Sequence, residues 1–301
     1  ASRYDITEEN RLGSVSLVLG AGNISAISPL DCLHKLFFEH SVVILKMNPV
    51  NQYLQDVLIL ALQPLISRGA LRIVSGGADV GSWLCNHPDI EDIHITGAQT
   101  THDTIVWGTG PQGEINRQNN APINQRRITS ELGGVSPVIV LPGKWTPADI
   151  KFQAEQIVSQ KLHNTGCNCV AAQVLVVPKR WKQLPEFIQA LKCAMRSAPV
   201  REAYYPGYSQ RVDDIVALHK NAEKIDTEGN PCYLVDLNES KNATNFYDEE
   251  VFSSVLGYVS IDSESTLDYV KSAISFANIR LAGSLGGNII VDPCTRKTLD
   301  K

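Results

Sequence analysis

Long apolar runs are missing from this chain. The longest, Val15 to Ala21 and Val42 to Leu45, fall far short of the roughly 20 residues a membrane-crossing helix needs. A charged-then-apolar leader pattern is also missing at the amino terminus, so the sequence predicts a soluble, intracellular protein with no membrane span. There is no basic tract: 27 Lys and Arg stand against 32 Asp and Glu, a net charge of -5, which sets up no general attraction for polyanions. Nucleic acid is therefore not an expected partner. Paired cysteines are lacking too. The seven at positions 32, 85, 167, 169, 193, 232 and 294 are odd in number and scattered through regular elements, which fits reduced thiols better than a disulfide framework. No internal repeat or low-complexity segment is visible.

What is present is an alternation of short apolar strands with helical stretches. Ser14 to Ala21 reads as a strand, Leu30 to Glu39 as a helix, and Ser41 to Met47 as a buried strand. Leu54 to Ser67 then has helical spacing, Ala70 to Val74 is a strand, Val80 to Asn86 a short helix, and Ile90 to Thr96 a strand. Alternation of this kind implies βαβ units and a parallel sheet, with ligands at the carboxyl ends of the strands. The candidate loops are then Gly20 to Asn23, Lys46 to Asn51, Gly76 to Gly81 and Thr96 to Thr101.

Gly108 to Gln125 reads as a polar loop, and Arg127 to Leu132 and Pro137 to Leu141 resume strand character. Thr146-Pro147-Ala148-Asp149 is a helix start, with the helix running to about Leu162. Val170 to Val177 is a strand, Trp181 to Arg196 a helix, 197 to 250 mixed and loop-rich, Leu267 to Asn278 a helix and Gly287 to Val291 a strand. The expected division is a dinucleotide-binding domain over 1–135 and a second α/β domain over 136–301.

The residues that could carry chemistry sit at these junctions. Cys167 and Cys169 follow a turn signal, Asn164-Thr165-Gly166, just before an apolar strand, where a thiol could face a cleft; either could be a nucleophile. Together with His163 they make only a weak metal signal, because no distant ligand pair accompanies them. Glu131 ends a strand and is followed by Gly133-Gly134, which permits close backbone approach beside a carboxylate. Lys46 ends the apolar strand 42–45, where its side chain emerges at the ligand edge. Gly20-Ala21-Gly22-Asn23 is half of a glycine-rich dinucleotide turn, without a third glycine at the expected place.

Taken together, Asn23, Lys46, Thr96-Gly97, Glu131-Leu132-Gly133-Gly134, Gly166-x-x-Cys169-x-Ala171 and Glu250-x-Phe252 resemble, in order and spacing, the aldehyde dehydrogenase superfamily over about residues 14 to 260. The resemblance selects Cys169 over Cys167 as nucleophile. It implies Asn23 in an oxyanion hole, Glu131 as the base that activates water, and cofactor contacts from Lys46, Thr96, Gly97, Gly133, Glu250 and Phe252. The implied cofactor is NAD or NADP, no metal is required, and the substrate is a small-molecule aldehyde or acyl compound. The implied assembly is a homo-oligomer or a larger complex.

Departures from the family pattern are Pro49 where many members have a ribose-binding glutamate, Gly22 for a tryptophan, Cys167 for a glutamine, Ser253-Ser254 for Gly-Pro, and His102 near an expected glycine. With a start at Ala1 they make the chain read as a fragment or a divergent, reduced relative. Two rival readings follow: an acylating enzyme that handles acyl-CoA thioesters, and a non-catalytic subunit that keeps only the fold.

Overall fold

The computed structural model describes residues 13–199, 201–283 and 285–299. The chain divides into two compact units, one ending at Leu132 and the other beginning at Gly133.

The first unit is built on five parallel strands, β1 (Ser14–Leu19), β2 (Ser41–Lys46), β3 (Leu71–Val74), β4 (Asp92–Gly97) and β5 (Arg127–Leu132), in the order β3-β2-β1-β4-β5. Between them lie α1 (Ile27–Phe37), α2 (Gln55–Ala61), α3 (Gln63–Ile66), α4 (Ala78–Asn86), α5 (Gln99–Trp107) and α6 (Gly110–Gln118). Adjacent residues of β1 feed opposite faces: Val18 packs with Cys32, Val43, Leu45, Met47 and Leu71, while Leu17 packs with Leu84, Cys85, Ile90 and Ile93. A strand covered on both faces has no polar side to present, which is why β1 and β2 read as runs of Val, Leu and Ile. At the amino edge, Lys35 is 1% exposed and its ammonium lies 2.8 Å from Asp92, whose other oxygen accepts from Ser16 at 2.6 Å. That buried charge is paired and hydrogen-bonded, as its burial requires.

Two expectations fail here. The stretch 108–125 is not all loop, because α6 occupies Gly110–Gln118, with Pro111 in its first turn. Its sequence, rich in Gly, Gln and Asn with one apolar residue, lacks the stripe that marks a helix. Proline in the first turn was the signal that counted. The single helix expected over 54–67 is broken into a 3-10 turn (Pro49–Leu54), α2 and α3, the last break falling at Leu62, just ahead of Pro64. Pro64 has no N–H to donate to a carbonyl of the preceding turn, and it is tolerated in the first turn of a new helix, so the chain restarts as α3 rather than continuing α2.

The second unit holds β6 (Ser136–Val140), β7 (Ala172–Pro178), β8 (Glu223–Ile225), β9 (Cys232–Asp236), β10 (Val255–Ile261) and β11 (Asn288–Ile290), ordered β11-β6-β7-β10-β9-β8. Only β8 runs antiparallel to its neighbour. Its helices are α7 (Pro147–Leu162), α8 (Leu184–Arg196), α9 (Tyr208–Leu218), α10 (Ala243–Asp248), α11 (Thr266–Arg280) and α12 (Pro293–Leu299). α7 begins with a capping box: Thr146 Oγ1 accepts from Asp149 N–H, and the Asp149 carboxylate accepts from Thr146 N–H. Such a cap contributes about 1 kcal/mol and sets where the helix starts. β7 is buried along its whole length. It is a central strand, and the cysteine loop leads directly into it.

The loop-rich character expected for 197–250 is corrected by α9, β8, β9 and α10, and β10 is an element the sequence reading passed over. The reason is length: β8 has 3 residues and β9 has 5, so their strand form comes from pairing with each other and with β10 rather than from a local pattern. Among the described residues no helix is long and apolar enough to cross a membrane.

Candidate active site

In the first unit, the carboxyl edge of the sheet collects most of the residues singled out from the sequence. Asn23 lies half-buried in the turn after β1. That turn is tied down by Gly20 N–H donating to the Lys46 carbonyl at 3.0 Å and by Asn51 Nδ2 donating to Ala21 O at 3.0 Å. Gly22 is needed for packing: a Cβ there would sit 2.8 Å from the Asn48 side chain. Asn48 in turn caps the 3-10 turn that starts at Pro49, accepting from Val50 N–H at 3.1 Å. The proline that replaces a ribose-binding carboxylate is therefore a structural N1 residue.

Lys46 is 8% exposed at the end of β2. Burial holds its ammonium below the usual lysine range, with Asp79 and Cys85 acting in the opposite sense. A Cβ on Gly81 would meet its Cε at 4.0 Å, an ordinary van der Waals distance, so α4 runs alongside the lysine stem. Thr96 Oγ1 donates to Asp31 Oδ2 at 3.0 Å, and Gly97 is exposed at the turn into α5. Gly77 and Ala98, at the N-caps of α4 and α5, supply no side-chain hydrogen bond to the first N–H groups of those helices. Glu131 is exposed on β5, directly across the ladder from Thr96. Asn23, Lys46, Thr96, Gly97 and Glu131 thus share one edge of one sheet.

In the second unit the two cysteines have opposite surroundings. Cys167 is fully buried, and its thiol donates to the Phe252 carbonyl at 3.4 Å. Burial pushes that thiol up, against Thr165, Arg211 and Lys161, which favour the thiolate. Cys169 is half-buried, with Sγ 3.8 Å from Asn168 Oδ1. The same Oδ1 accepts from Val170 N–H at 3.2 Å, and Asn168 Nδ2 lies 3.0 Å from the His163 ring. Asn168 thereby shapes the turn and delays β7 to Ala172, two residues later than the sequence suggests.

Gly133 proves to be the seat of the Glu250 carboxylate. A Cβ at position 133 would fall 1.8 Å from Glu250 Oε2. Burial pushes the Glu250 carboxyl up to about 6, while the Gly134 N–H and Lys161 pull it down. The segment leading to Phe252 is clamped by Gln173 of β7. Its amide donates to Phe246 O at 2.8 Å and Glu249 O at 2.7 Å and accepts from Val251 N–H at 2.9 Å.

The sequence reading missed Gln173, Lys161 and Arg211. The first two carried a signal: a glutamine inside an apolar strand, and a lysine four residues after Ile157 on the buried face of α7. Arg211 carried none.

Gly166 has φ +84°, and a Cβ on it would lie 2.1 Å from the Ser253 carbonyl oxygen. Both the backbone conformation and the space exclude a side chain. G166A is expected to destabilise the protein by about 3 kcal/mol or more, read as a lowered urea midpoint. An unchanged midpoint would mean that the cysteine loop does not dock here.

A parallel sheet of order β3-β2-β1-β4-β5 with two helix starts open at its carboxyl edge, and a second sheet preceded by a half-buried thiol, define a two-unit α/β protein of the dinucleotide-fold, cysteine-loop class. Residues 38–212 match the profile described as the Aldehyde dehydrogenase family, and the chain belongs to that family. FUS7 of Gibberella fujikuroi is 23% identical over 307 residues, covering 95% of this chain and 60% of that protein. Aldehyde dehydrogenase LUC3 from Fusarium is 26% identical over 159 residues, 52% of this chain and 31% of its own length.

Among solved structures, a Mycobacterium tuberculosis aldehyde dehydrogenase complexed with NAD+ superposes with a TM-score of 0.71 at 19% identity, over 95% of this chain and 58% of the other. Lactaldehyde dehydrogenase from Escherichia coli gives 0.73 at 19% identity, over 95% and 59%. At such identity these likenesses establish the fold. The chain spans less than two thirds of the length of each of these proteins.

Proposed function

We propose that this chain carries the machinery of a nicotinamide-dependent dehydrogenase that oxidises an aldehyde to a carboxylic acid, with Cys169 as nucleophile. The observation that carries the reading is the family match over residues 38–212, which includes Lys46, Thr96, Gly97, Glu131 and Cys169. The burial contrast supports Cys169 over its neighbour, since a nucleophile needs access and Cys167 has none.

The donor set of the first unit fits NAD or NADP. Lys46 offers a cation at the ligand edge, and the uncapped starts of α4 and α5 offer N–H groups for phosphate oxygens. In the second unit Glu250, seated on Gly133, would accept from ribose hydroxyls, and Phe252 would face the nicotinamide ring. When bound, the oxidised nicotinamide takes up the hydride that leaves the aldehyde carbon.

The chain's own residues do the rest. Cys169, as thiolate, forms an S–C bond to the carbonyl carbon while the π electrons move to oxygen. The Asn23 amide and the Cys169 N–H donate to that oxygen. Once hydride has left, Cys169 holds the acyl group as a thioester. Glu131 takes a proton from water, the hydroxide adds to the thioester carbon, and the thiolate departs with the S–C bond electrons.

The test is aldehyde-dependent formation of reduced nicotinamide across aliphatic and aromatic aldehydes, with cofactor binding followed by calorimetry. No turnover together with no binding of NAD(H) or NADP(H) would sink the reading. That outcome would favour the non-catalytic alternative, for which Pro49 at the ribose position is the specific observation. E131Q separates hydrolysis from acyl transfer: a hydrolytic enzyme is expected to release about one equivalent of reduced cofactor and then slow by roughly 100-fold. An acylating enzyme would keep its rate of acyl transfer to a thiol.

A further inference from the structure

Three residues other than glycine adopt left-handed backbone in two segments of the second unit that touch: Asn164 (φ 56°) and Thr165 (φ 55°) in the cysteine loop, and Phe252 (φ 45°) in the Glu-x-Phe segment. Asparagine tolerates this region, but a β-branched threonine and a bulky phenylalanine do not, at a cost of about 1–2 kcal/mol each. Such strain persists only where the surroundings over-determine it, and it clusters at functional sites. The tethers are visible. Asn164 Nδ2 donates to Cys167 O and to Tyr204 Oη, both at 3.0 Å, and the Cys167 thiol donates to Phe252 O.

Arg211, in the first turn of α9, is the hub of the remaining contacts. Its Nε donates to Phe252 O at 3.3 Å, and its guanidinium carbon lies 5.8 Å from the Phe252 ring centre and 5.7 Å from that of Tyr205. The two rings meet edge to face at 5.2 Å. The guanidinium is itself fixed, since Nη1 donates to Pro206 O at 2.9 Å, beneath the left-handed Gly207 that starts α9. One cation thus grips both the carbonyl and the ring of a strained phenylalanine whose carbonyl also receives the Cys167 thiol. A lysine could supply charge but neither the planar stack nor a fixed Nε donor.

We infer that Arg211 is a positioning residue for the proposed oxidation: it holds Phe252 in its left-handed conformation and thereby fixes the Phe252 ring relative to the cysteine loop. The assignment rests on the function proposed above, because it is the cofactor contact of Phe252 that gives this position its value. Loss of the grip would let the ring relax by an ångström or so, a displacement that costs about 100-fold when the affected group orients a reactant.

The experiment compares wild type, R211K and R211A by steady-state kinetics, with thermal melting to confirm folding. R211A is expected to lose about 10- to 100-fold in kcat, with the cofactor KM raised and the aldehyde KM little changed. Low-millimolar guanidinium is expected to restore its activity at least threefold and to leave wild type unaffected. A purely architectural role would give neither the KM split nor the rescue, so a folded R211A without rescue overturns the assignment. Should R211A fail to fold, R211K decides: kinetics equal to wild type overturn it, and a loss confined to kcat and cofactor KM supports it. If wild type itself turns over no aldehyde, the functional reading has failed separately. The grip is then judged by alkylation of Cys169 with iodoacetamide, whose rate must change at least fivefold in the variant and be reversed by guanidinium.

Discussion

C169S is expected to abolish aldehyde oxidation, with kcat lowered by about 1,000-fold or more and the fold retained. The exchange is nearly isosteric. Asn168 goes on holding the Val170 N–H, so the turn has no reason to move. What changes is acidity, because a serine hydroxyl is a far weaker acid than a thiol and gives almost no alkoxide at neutral pH. C167S is the matched comparison. Cys167 is fully buried and uses its hydrogen on the Phe252 carbonyl, a bond a hydroxyl can also make, so less than about a tenfold loss is expected. Iodoacetamide should label position 169 ahead of position 167. Equal losses in the two variants would overturn the choice of nucleophile.

K161M is expected to stabilise the protein by about 2–4 kcal/mol at pH 6, with the gain shrinking toward pH 10. Lys161 is 1% exposed on α7, and burial drives its ammonium down from 10.5 to about 7, with Cys167, Cys232 and Glu250 acting in the opposite sense. At about 1.4 kcal/mol per tenfold change in proton affinity, that corresponds to roughly 5 kcal/mol as an upper figure. Below pH 7 both states hold the proton and the folded chain bears the full cost of the buried charge. Between pH 7 and 10.5 only the unfolded chain keeps the proton, so wild-type stability climbs as the pH rises through that window.

Glu250 acts lower on the scale. Its carboxyl is pushed up from 4.5 to about 6, so the folded chain keeps a proton that the unfolded chain has lost, and stability falls as pH rises from 4.5 to 6. Methionine fills a similar volume without a charge to desolvate. Part of the gain is offset because Glu250 loses a nearby cation. Urea midpoints of wild type and K161M across pH 5 to 10 provide the measurement, and the difference between the two curves isolates Lys161. A difference independent of pH would mean that the lysine is not desolvated as described.

Much of the candidate site was legible because its signals are local. Lys46 at the end of an apolar strand, the glycines beside Glu131 and the turn before Cys169 each announce themselves within about eight residues. The roles of Gly133 and Gln173 were not legible. Gly133 reads as a flexible neighbour of Glu131, yet the space its missing Cβ leaves is occupied by the carboxylate of Glu250. Gln173 reads as an interruption of a strand, yet its amide makes three hydrogen bonds to the segment from Phe246 to Val251.

Sequence alone determined the alternation of strands and helices, the capped start of α7 at Thr146, and the order of the family's motif residues, because periodicity and capping act over a turn or two of chain. Only the tertiary structure decided which of two cysteines two positions apart is sealed from solvent. Cys167 is closed off by contacts with a segment 85 residues away. Sequence position also says nothing of Arg211 reaching Phe252 across 41 residues, or of Lys161 losing its water next to Cys232 and Glu250. Acidity, access and strain depend on what is packed around a group, and those neighbours come from elements that only the fold brings together.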